Sequence, residues 1–285
     1  MSKKIFSFSL WGNCKVYNYG VLHNALAAKE HYPDFEVWIT FSYREECIPE
    51  IIDILYTLDN VKMIEIGKDN YVPCGANVIW RFFSAFDPEV KVFISRDSDS
   101  HLDNPRDLYA TKEWLKSDES FHIIRDHPNH YRYCIMAGAF GCRCGIMKPF
   151  ETDMKLFYNA IIKNDYSLIK SKASEATWNL YLGGSKTRGR SLDMWFLRNY
   201  VYNNLDSIMS HFSEYSYKNL YDSSIKNRRY ISSSTIDEKE NIKIIPSEIE
   251  ANDGFVGKIK YDMPLASKYL NIKNSSLKRF WTHGD

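Results

Sequence analysis

Residues Val90–Leu102 read VKVFISRDSDSHL. The uninterrupted Val-Phe-Ile suits a central strand buried on both faces, and it ends abruptly in an arginine and two aspartates set one residue apart. In an extended segment residues i and i+2 point the same way, so Asp97 and Asp99 are expected to present carboxylates to one point. Hard divalent cations take such oxygen ligands and are completed by substrate phosphates. A metal-bound diphosphate is the first expectation; an aspartate that merely caps a backbone turn is the alternative.

Upstream of this stretch the chain alternates. Lys4–Leu10 reads as a strand followed by a Gly12 loop, and Asn18 is placed as the N-cap of a helix carrying Val21, Leu22, Ala25, Leu26 and Ala28 at helical spacing. Phe35–Phe41 returns to strand, Pro49 opens a helix, VKMIEI makes a third strand and ANVIWRFFSAF a third helix. This β-α-β-α-β-α-β series predicts a mostly parallel α/β sheet flanked by helices, with ligands beyond the carboxyl ends of its strands. Downstream, Asn104 and Pro105 open a helix, FHIIR is a short strand, and helices are expected at 151–162 and 192–202. From about Ser213 the Ser-, Asn-, Lys- and Tyr-rich composition predicts an irregular C-terminal extension that wraps the core.

The 285 residues carry 7 Trp, 20 Tyr and 16 Phe, too many aromatics for a disordered chain. A formal charge of +1 speaks against a dedicated nucleic-acid binder. With no secretory leader and no apolar run of about 18 residues, a soluble cytoplasmic protein is expected, in the host cytoplasm if viral. The scattered cysteines are expected to be reduced thiols. Cys142 and Cys144, with His127 and His130 upstream, lack the ligand spacing of a zinc module. The basic stretch 258–279, with Lys258, Lys260, Lys268, Lys273, Lys278 and Arg279 against Asp262, reads as solvated lysines, with closure over a diphosphate or peripheral membrane contact as alternatives. Nothing in the sequence bears on oligomeric state.

The string WRFFSAFDPEVKVFISRDSDSHL, with FHIIRDHPNH and IMAGAFG after it, resembles the core of nucleotide-sugar glycosyltransferases of the GT-A fold. It is most similar to bacterial and large-DNA-virus enzymes with an RD-x-DS signature, and remotely to glycosyltransferase family 8. The likeness runs from about Phe6 to His211. It implies a GT-A catalytic domain over 1–212, with a nucleotide-sugar half at 1–103, an acceptor-side half at 104–212, and the extension at 213–285.

The resemblance also implies roles. Asp97 would contact the donor ribose or the metal, and Asp99 would bind the metal directly. Ser9, Leu10, Trp11 and Gly12 would lie against the base and ribose, and Arg81 would approach the donor phosphates. Gly138 and Ala139, with Ala137, match the small-residue strand beneath the donor sugar, where backbone must come close to ligand. His211 matches the third metal ligand of family 8.

Asp193 follows Ser191, placed as an N-cap, on a helix whose buried stripe is Leu192, Phe196, Leu197, Tyr200 and Val201. That aims its carboxylate inward, as the acid facing the reacting sugar does in family 8, although the helix dipole alone would favour an aspartate there. Asp126, His127 and His130 form a polar loop with Pro128 that would bind the acceptor or, through Asp126, supply a base.

The expected activity is Mn²⁺- or Mg²⁺-dependent transfer of a sugar from a nucleotide diphosphate, a UDP-sugar first, to a hydroxyl of a glycan or glycolipid. The family 8 order of motifs favours retention; inversion would need Asp126 or Asp193 as base. A metal-dependent nucleotidyltransferase or phosphoesterase, and a non-catalytic glycan-binding protein, are the competing classes.

Overall fold

The computed structural model describes residues 2–127, 130, 134–143, 145–163, 165, 192–221, 238–249, 255–256, 258, 260 and 263–270. Pro128, Cys144, Ser191, Asp262, Lys273, Lys278 and Arg279 lie outside them. Eight strands form one sheet: β1 Lys3–Leu10, β2 Glu36–Phe41, β3 Val61–Glu65, β4 Val90–Arg96, β5 Phe121–Arg125, β6 Ala139–Arg143, β7 Ile208–Ser213 and β8 Glu240–Ile245, in the order β3-β2-β1-β4-β6-β5-β7-β8. Only β6 runs antiparallel to its neighbours, so every other strand ends on the same edge. The α/β class expected from the alternation is the class observed.

The period of two in each strand separates two cores. Phe6, Phe8, Leu10, Val37, Ile39, Phe41, Val92 and Ile94 pack on one face with α1 (Lys15–His31) and α2 (Pro49–Thr57). Ile5, Trp38 and Phe93 pack on the other with Trp80 and Phe82 of α3 (Trp80–Phe83), α5 (Glu151–Ile162) and α6 (Leu192–Phe196). On this second face β1 carries Ser7 and Ser9, whose small side chains admit a turn of chain. Ser7 Oγ donates to the Arg81 carbonyl at 2.7 Å, and Ser9 Oγ accepts from the Arg81 N–H at 2.9 Å.

Three local expectations are corrected. Cys14, not Asn18, is the N-cap of α1. Asn18 is buried inside the first turn, where it donates to the Gly12 and Cys14 carbonyls and accepts from the Ile48 N–H, tying the β1–α1 loop to the start of α2. The third helix is short, because 3-10 turns at Gly75–Ile79 and Ser84–Phe86 flank α3. Within the stretch read as an irregular tail, β8 pairs with β7, and α8 (Pro264–Tyr269) packs on α1.

Two of the three Arg-Asp dipeptides, Arg96-Asp97 and Arg125-Asp126, stand at strand ends with the arginine turned inward. Arg96 makes a two-pronged ion pair with Asp107 of α4 (Pro105–Lys116), at 2.7 and 2.8 Å, both side chains fully buried. Arg125 pairs with Glu240 at 2.5 and 3.1 Å, bolting β5 to β8 across β7. The aspartates that follow, Asp97 and Asp126, emerge at the carboxyl edge.

Candidate functional site at the carboxyl edge

The chain winds outward from β1 through β2 and β3, then returns to β4 on the other side of β1. That reversal opens a crevice at the strand ends, the place where α/β sheets bind ligands. The Leu10–Gly12 loop and the Asp97–Asp99 segment border it.

Asp97–Ser100 is a turn rather than an extension of β4: the Ser100 N–H donates to the Asp97 carbonyl at 3.2 Å and its hydroxyl donates to the same oxygen at 2.8 Å. The expected extended geometry for the two aspartates is therefore replaced by positions i and i+2 of a turn. Asp97 keeps 39% of its side chain exposed. Asp99 is buried to 8%, and its carbonyl accepts the Lys260 N–H at 2.8 Å. Lys260 is itself buried, so the expectation of a purely solvated basic stretch fails at that residue.

Arg81 joins the parts. Only 4% exposed, it donates from Nη1 to Asp97 Oδ1 and, at 3.1 Å, to the Arg96 carbonyl, and from Nη2 to Asp193 Oδ2 at 3.1 Å. Asp193 sits in the first turn of α6, where its Oδ1 accepts the Met194 N–H at 2.8 Å. Burial pushes the Asp193 carboxyl above its ordinary range, and the Arg81 charge offsets that only in part. Gly138, in the turn leading into β6, lies against the Asp97 carboxylate: a Cβ there would stand 2.0 Å from Oδ2. The group that uses the missing side chain is the Asp97 carboxylate of the chain itself, where the small-residue motif had suggested a donor sugar.

The other expected residues are distributed less favourably. The Ser9 hydroxyl is spent on α3 and its approach, bonding the Val78 carbonyl at 3.1 Å as well as the Arg81 N–H, so it positions Arg81. Leu10 is fully buried and its carbonyl accepts the Ser42 N–H, which leaves Trp11 and Gly12 as the partly exposed members of that loop. Ala139 is buried at the start of β6, paired with Arg96.

His211 is not brought to the aspartates. It lies on β7, three strand spacings from β4, or about 14 Å. Its Nε2 pairs with Glu113 and its Nδ1 with His122 Nε2, each at 2.9 Å. With Nε2–H donating to the carboxylate and Nδ1 accepting from His122, neither nitrogen has a lone pair left for a metal. Burial pushes both imidazoles below their ordinary range, His122 strongly, which keeps them neutral.

Asp126 is also corrected as a base. Its side chain is fully buried, with Oδ2 accepting the Val256 N–H at 2.9 Å and Arg106 Nη1 at 3.4 Å, so it secures a loop instead of facing an acceptor. His130 lies beside it, 3.3 Å from Oδ1, and Phe255 packs on His127 and His130.

Sequence reasoning missed the residues that hold the acidic turn. Gly20 of α1 is placed so that a Cβ would stand 1.9 Å from the Ser98 carbonyl oxygen. Asn24, one turn on, donates to the Ser100 carbonyl at 2.7 Å and accepts from the Leu102 N–H at 2.9 Å. The available signal was a glycine and an asparagine on the buried side of a helix. An exposed helical Gly→Ala change usually stabilises by about 1 kcal/mol. Gly20→Ala should do the reverse, lowering the melting temperature and weakening any ligand that binds the acidic turn, as thermal melts of both proteins would show.

Among the described residues one further cluster, His23, His101 and Asp103, gathers potential metal ligands. His23 Nδ1 accepts the Leu265 N–H, which puts the ring proton on the Nε2 that faces Asp103 at 3.3 Å. The two imidazoles stack at 3.9 Å and serve to fasten the acidic turn to α1 and the tail. No described helix is long and apolar enough to cross a membrane.

No protein-family model and no curated protein matches the chain. Several solved structures are similar to it at a distance. S. aureus TarS 1–349 is 13% identical, with a TM-score of 0.39 over 52% of this chain and 49% of that one. The mannosyltransferase PcManGT from Pyrobaculum calidifontis, in complex with GDP-Man and Mn²⁺, is 10% identical, with a TM-score of 0.38 over 53% and 47%. The galactosyltransferase LgtC, in complex with donor and acceptor sugar analogues, is 10% identical, with a TM-score of 0.42 over 78% and 80%. The chain thus aligns with about half the length of the first two.

Proposed function

We propose that the chain is a metal-dependent glycosyltransferase of GT-A type, moving a sugar from a UDP-sugar to a hydroxyl of a glycan or glycolipid. The observation that carries this is the Asp97–Arg81–Asp193 array closed by Gly138 at the sheet's reversal point. A solvent-reachable carboxylate, a buried guanidinium and a buried acid meet where a diphosphate-linked ligand would lie.

The donor set suits a hard divalent ion. Asp97 and Asp99 are oxygen ligands of one turn, without sulfur or imidazole, and Mg²⁺ or Mn²⁺ needs only one or two carboxylates besides phosphates and water. Such an ion, held by Asp97 and Asp99, would neutralise charge developing on the leaving diphosphate. The remaining work falls to the protein. Arg81 orients Asp97 and Asp193 together, and Gly138 leaves room for the Asp97 carboxylate. Asp193, buried with Oδ1 on the Met194 N–H and Oδ2 on Arg81, would exchange one of these bonds to face the bond that breaks. Asp193 is the residue we assign to the reacting sugar, with retention as the expected stereochemistry.

Thermal denaturation with UDP, GDP and CMP, with and without Mn²⁺, tests the binding half of the proposal. A ligand at about 100 times its Kd stabilises the folded state by about 2.7 kcal/mol. UDP with Mn²⁺ should raise the melting temperature most, and Asp99→Asn should remove the Mn²⁺-dependent part. An undiminished shift in Asp99→Asn would sink the metal assignment.

A further inference from the structure

The carboxyl edge has a second concavity, on the far side of β5 from the acidic turn. It is a cavity of about 370 Å³, at the ends of β7 and β8, with Arg106, Glu214, Tyr215, Ile245, Ser247 and Ile249 in its lining. Because β4, β5, β7 and β8 run the same way, it opens on the same edge as Asp97. From β4 to β7 is about 14 Å. That is beyond a transferred sugar but within reach of a short oligosaccharide.

Its chemistry is mixed in the manner of a carbohydrate site. Ile245 and Ile249 give an apolar wall, and the ring of Tyr215 stands 67% exposed. Arg106 reaches Asp126 only at 3.4 Å, the outer limit of hydrogen bonding, which leaves most of its fork available to ligand hydroxyls. Glu214, from the first turn of α7 (Glu214–Tyr221), supplies an acceptor, and the hydrogen bond from Lys218 holds its carboxyl below the ordinary range. A phosphate would meet that carboxylate unfavourably, and an acyl chain would offer no hydrogen bond to Arg106, Glu214 or Ser247. A pyranose satisfies both sides, with C–H faces for the aromatic ring and wall and hydroxyls for the charged groups.

We infer that this cavity binds a sugar unit of the acceptor glycan, remote from the hydroxyl that is glycosylated; the word acceptor rests on the proposed transferase activity. Saturation-transfer NMR tests it on the full chain, without metal or nucleotide. The probes are methyl glycosides and disaccharides of glucose, galactose, mannose and N-acetylglucosamine, with inorganic phosphate as competitor. At least one saccharide should bind, and both Tyr215→Ala and Ser247→Trp, the latter filling the cavity, should weaken it tenfold or more. Both variants should keep the wild-type circular dichroism spectrum and nucleotide response. Asp97→Asn should leave saccharide binding intact while losing the nucleotide response, so failures at the two sites are told apart. Three results would overturn the inference: no saccharide binding, binding that survives both cavity variants, or displacement by phosphate. Saccharide binding without any nucleotide response would uphold the cavity and remove only the donor reading.

Discussion

Arg81→Met is expected to lower the unfolding free energy by about 3–5 kcal/mol, because it strips the cation from a buried carboxylate and leaves that charge uncompensated. Arg81 and Asp193 are each 4% exposed and bonded to one another at 3.1 Å, so water cannot replace the guanidinium. The loss should depend on pH in a definite sense. An acid whose folded-state pKa lies above its unfolded value loses stability as pH rises from the ordinary aspartate range to the folded value. Asp193 is such an acid through burial, and Arg81 is the group restraining the shift. In Arg81→Met the folded value climbs further. The stability deficit against wild type should then be largest at neutral pH and shrink as pH falls into the carboxylate range. Urea denaturation at pH 5 and pH 8 measures it. A deficit independent of pH would show that Arg81 acts through packing alone. Arg81→Lys should recover little, since one ammonium cannot span two carboxylates as the planar fork does.

Gly138→Ala should have the opposite profile, sparing the fold and costing the site. The added methyl would stand 2.0 Å from Asp97 Oδ2 and 2.3 Å from Cγ, so something must move. Asp97 is the part able to give: its side chain is 39% exposed, whereas β6 beyond Ala139 is locked by pairing on both sides. Rotation of Asp97 breaks its bond to Arg81 and carries the carboxylate off the crevice. A displacement of about 1 Å in a reacting array costs about 100-fold in rate. Gly138→Ala is therefore expected to retain a native circular dichroism spectrum while donor turnover falls about 100-fold. Wild-type turnover in Gly138→Ala would mean that Asp97 plays no part in the chemistry.

The strands that the sequence announces are those whose burial is apolar. β1 to β5 carry apolar runs such as FEVWITF and VKVFISR, long enough to read as strands buried in a sheet. β7, IMSHFS, is just as buried but hides Ser210 and His211 in the sheet, each satisfied by a distant partner. β8, ENIKII, begins with Glu240, which looks like a surface residue until Arg125, 115 positions earlier, is found bonded to it. Pairings of that range leave no local periodicity to read.

The site divides in the same way. Asp97, Arg81, Gly138 and Asp193 were named from the sequence and do meet in space. His211 and Asp126 were named too, and are drawn into networks with Glu113, His122, Val256 and Arg106 instead. Gly20 and Asn24 were passed over because a glycine in a helix reads as a weakness, and only the acidic turn packed beneath it explains the choice. Arg96, the first letter of the acidic signature, serves the fold through Asp107.

Asp97 and its neighbours are assigned here to the bond between a sugar and a nucleotide diphosphate. Phosphorus and proton NMR of UDP-sugars incubated with the protein and Mn²⁺ follow that bond directly. Slow release of UDP and free sugar is expected in the absence of acceptor, with loss of the reaction in Asp97→Asn. Cleavage to UMP, or no cleavage of any nucleotide-sugar by a folded wild-type protein, would contradict that assignment.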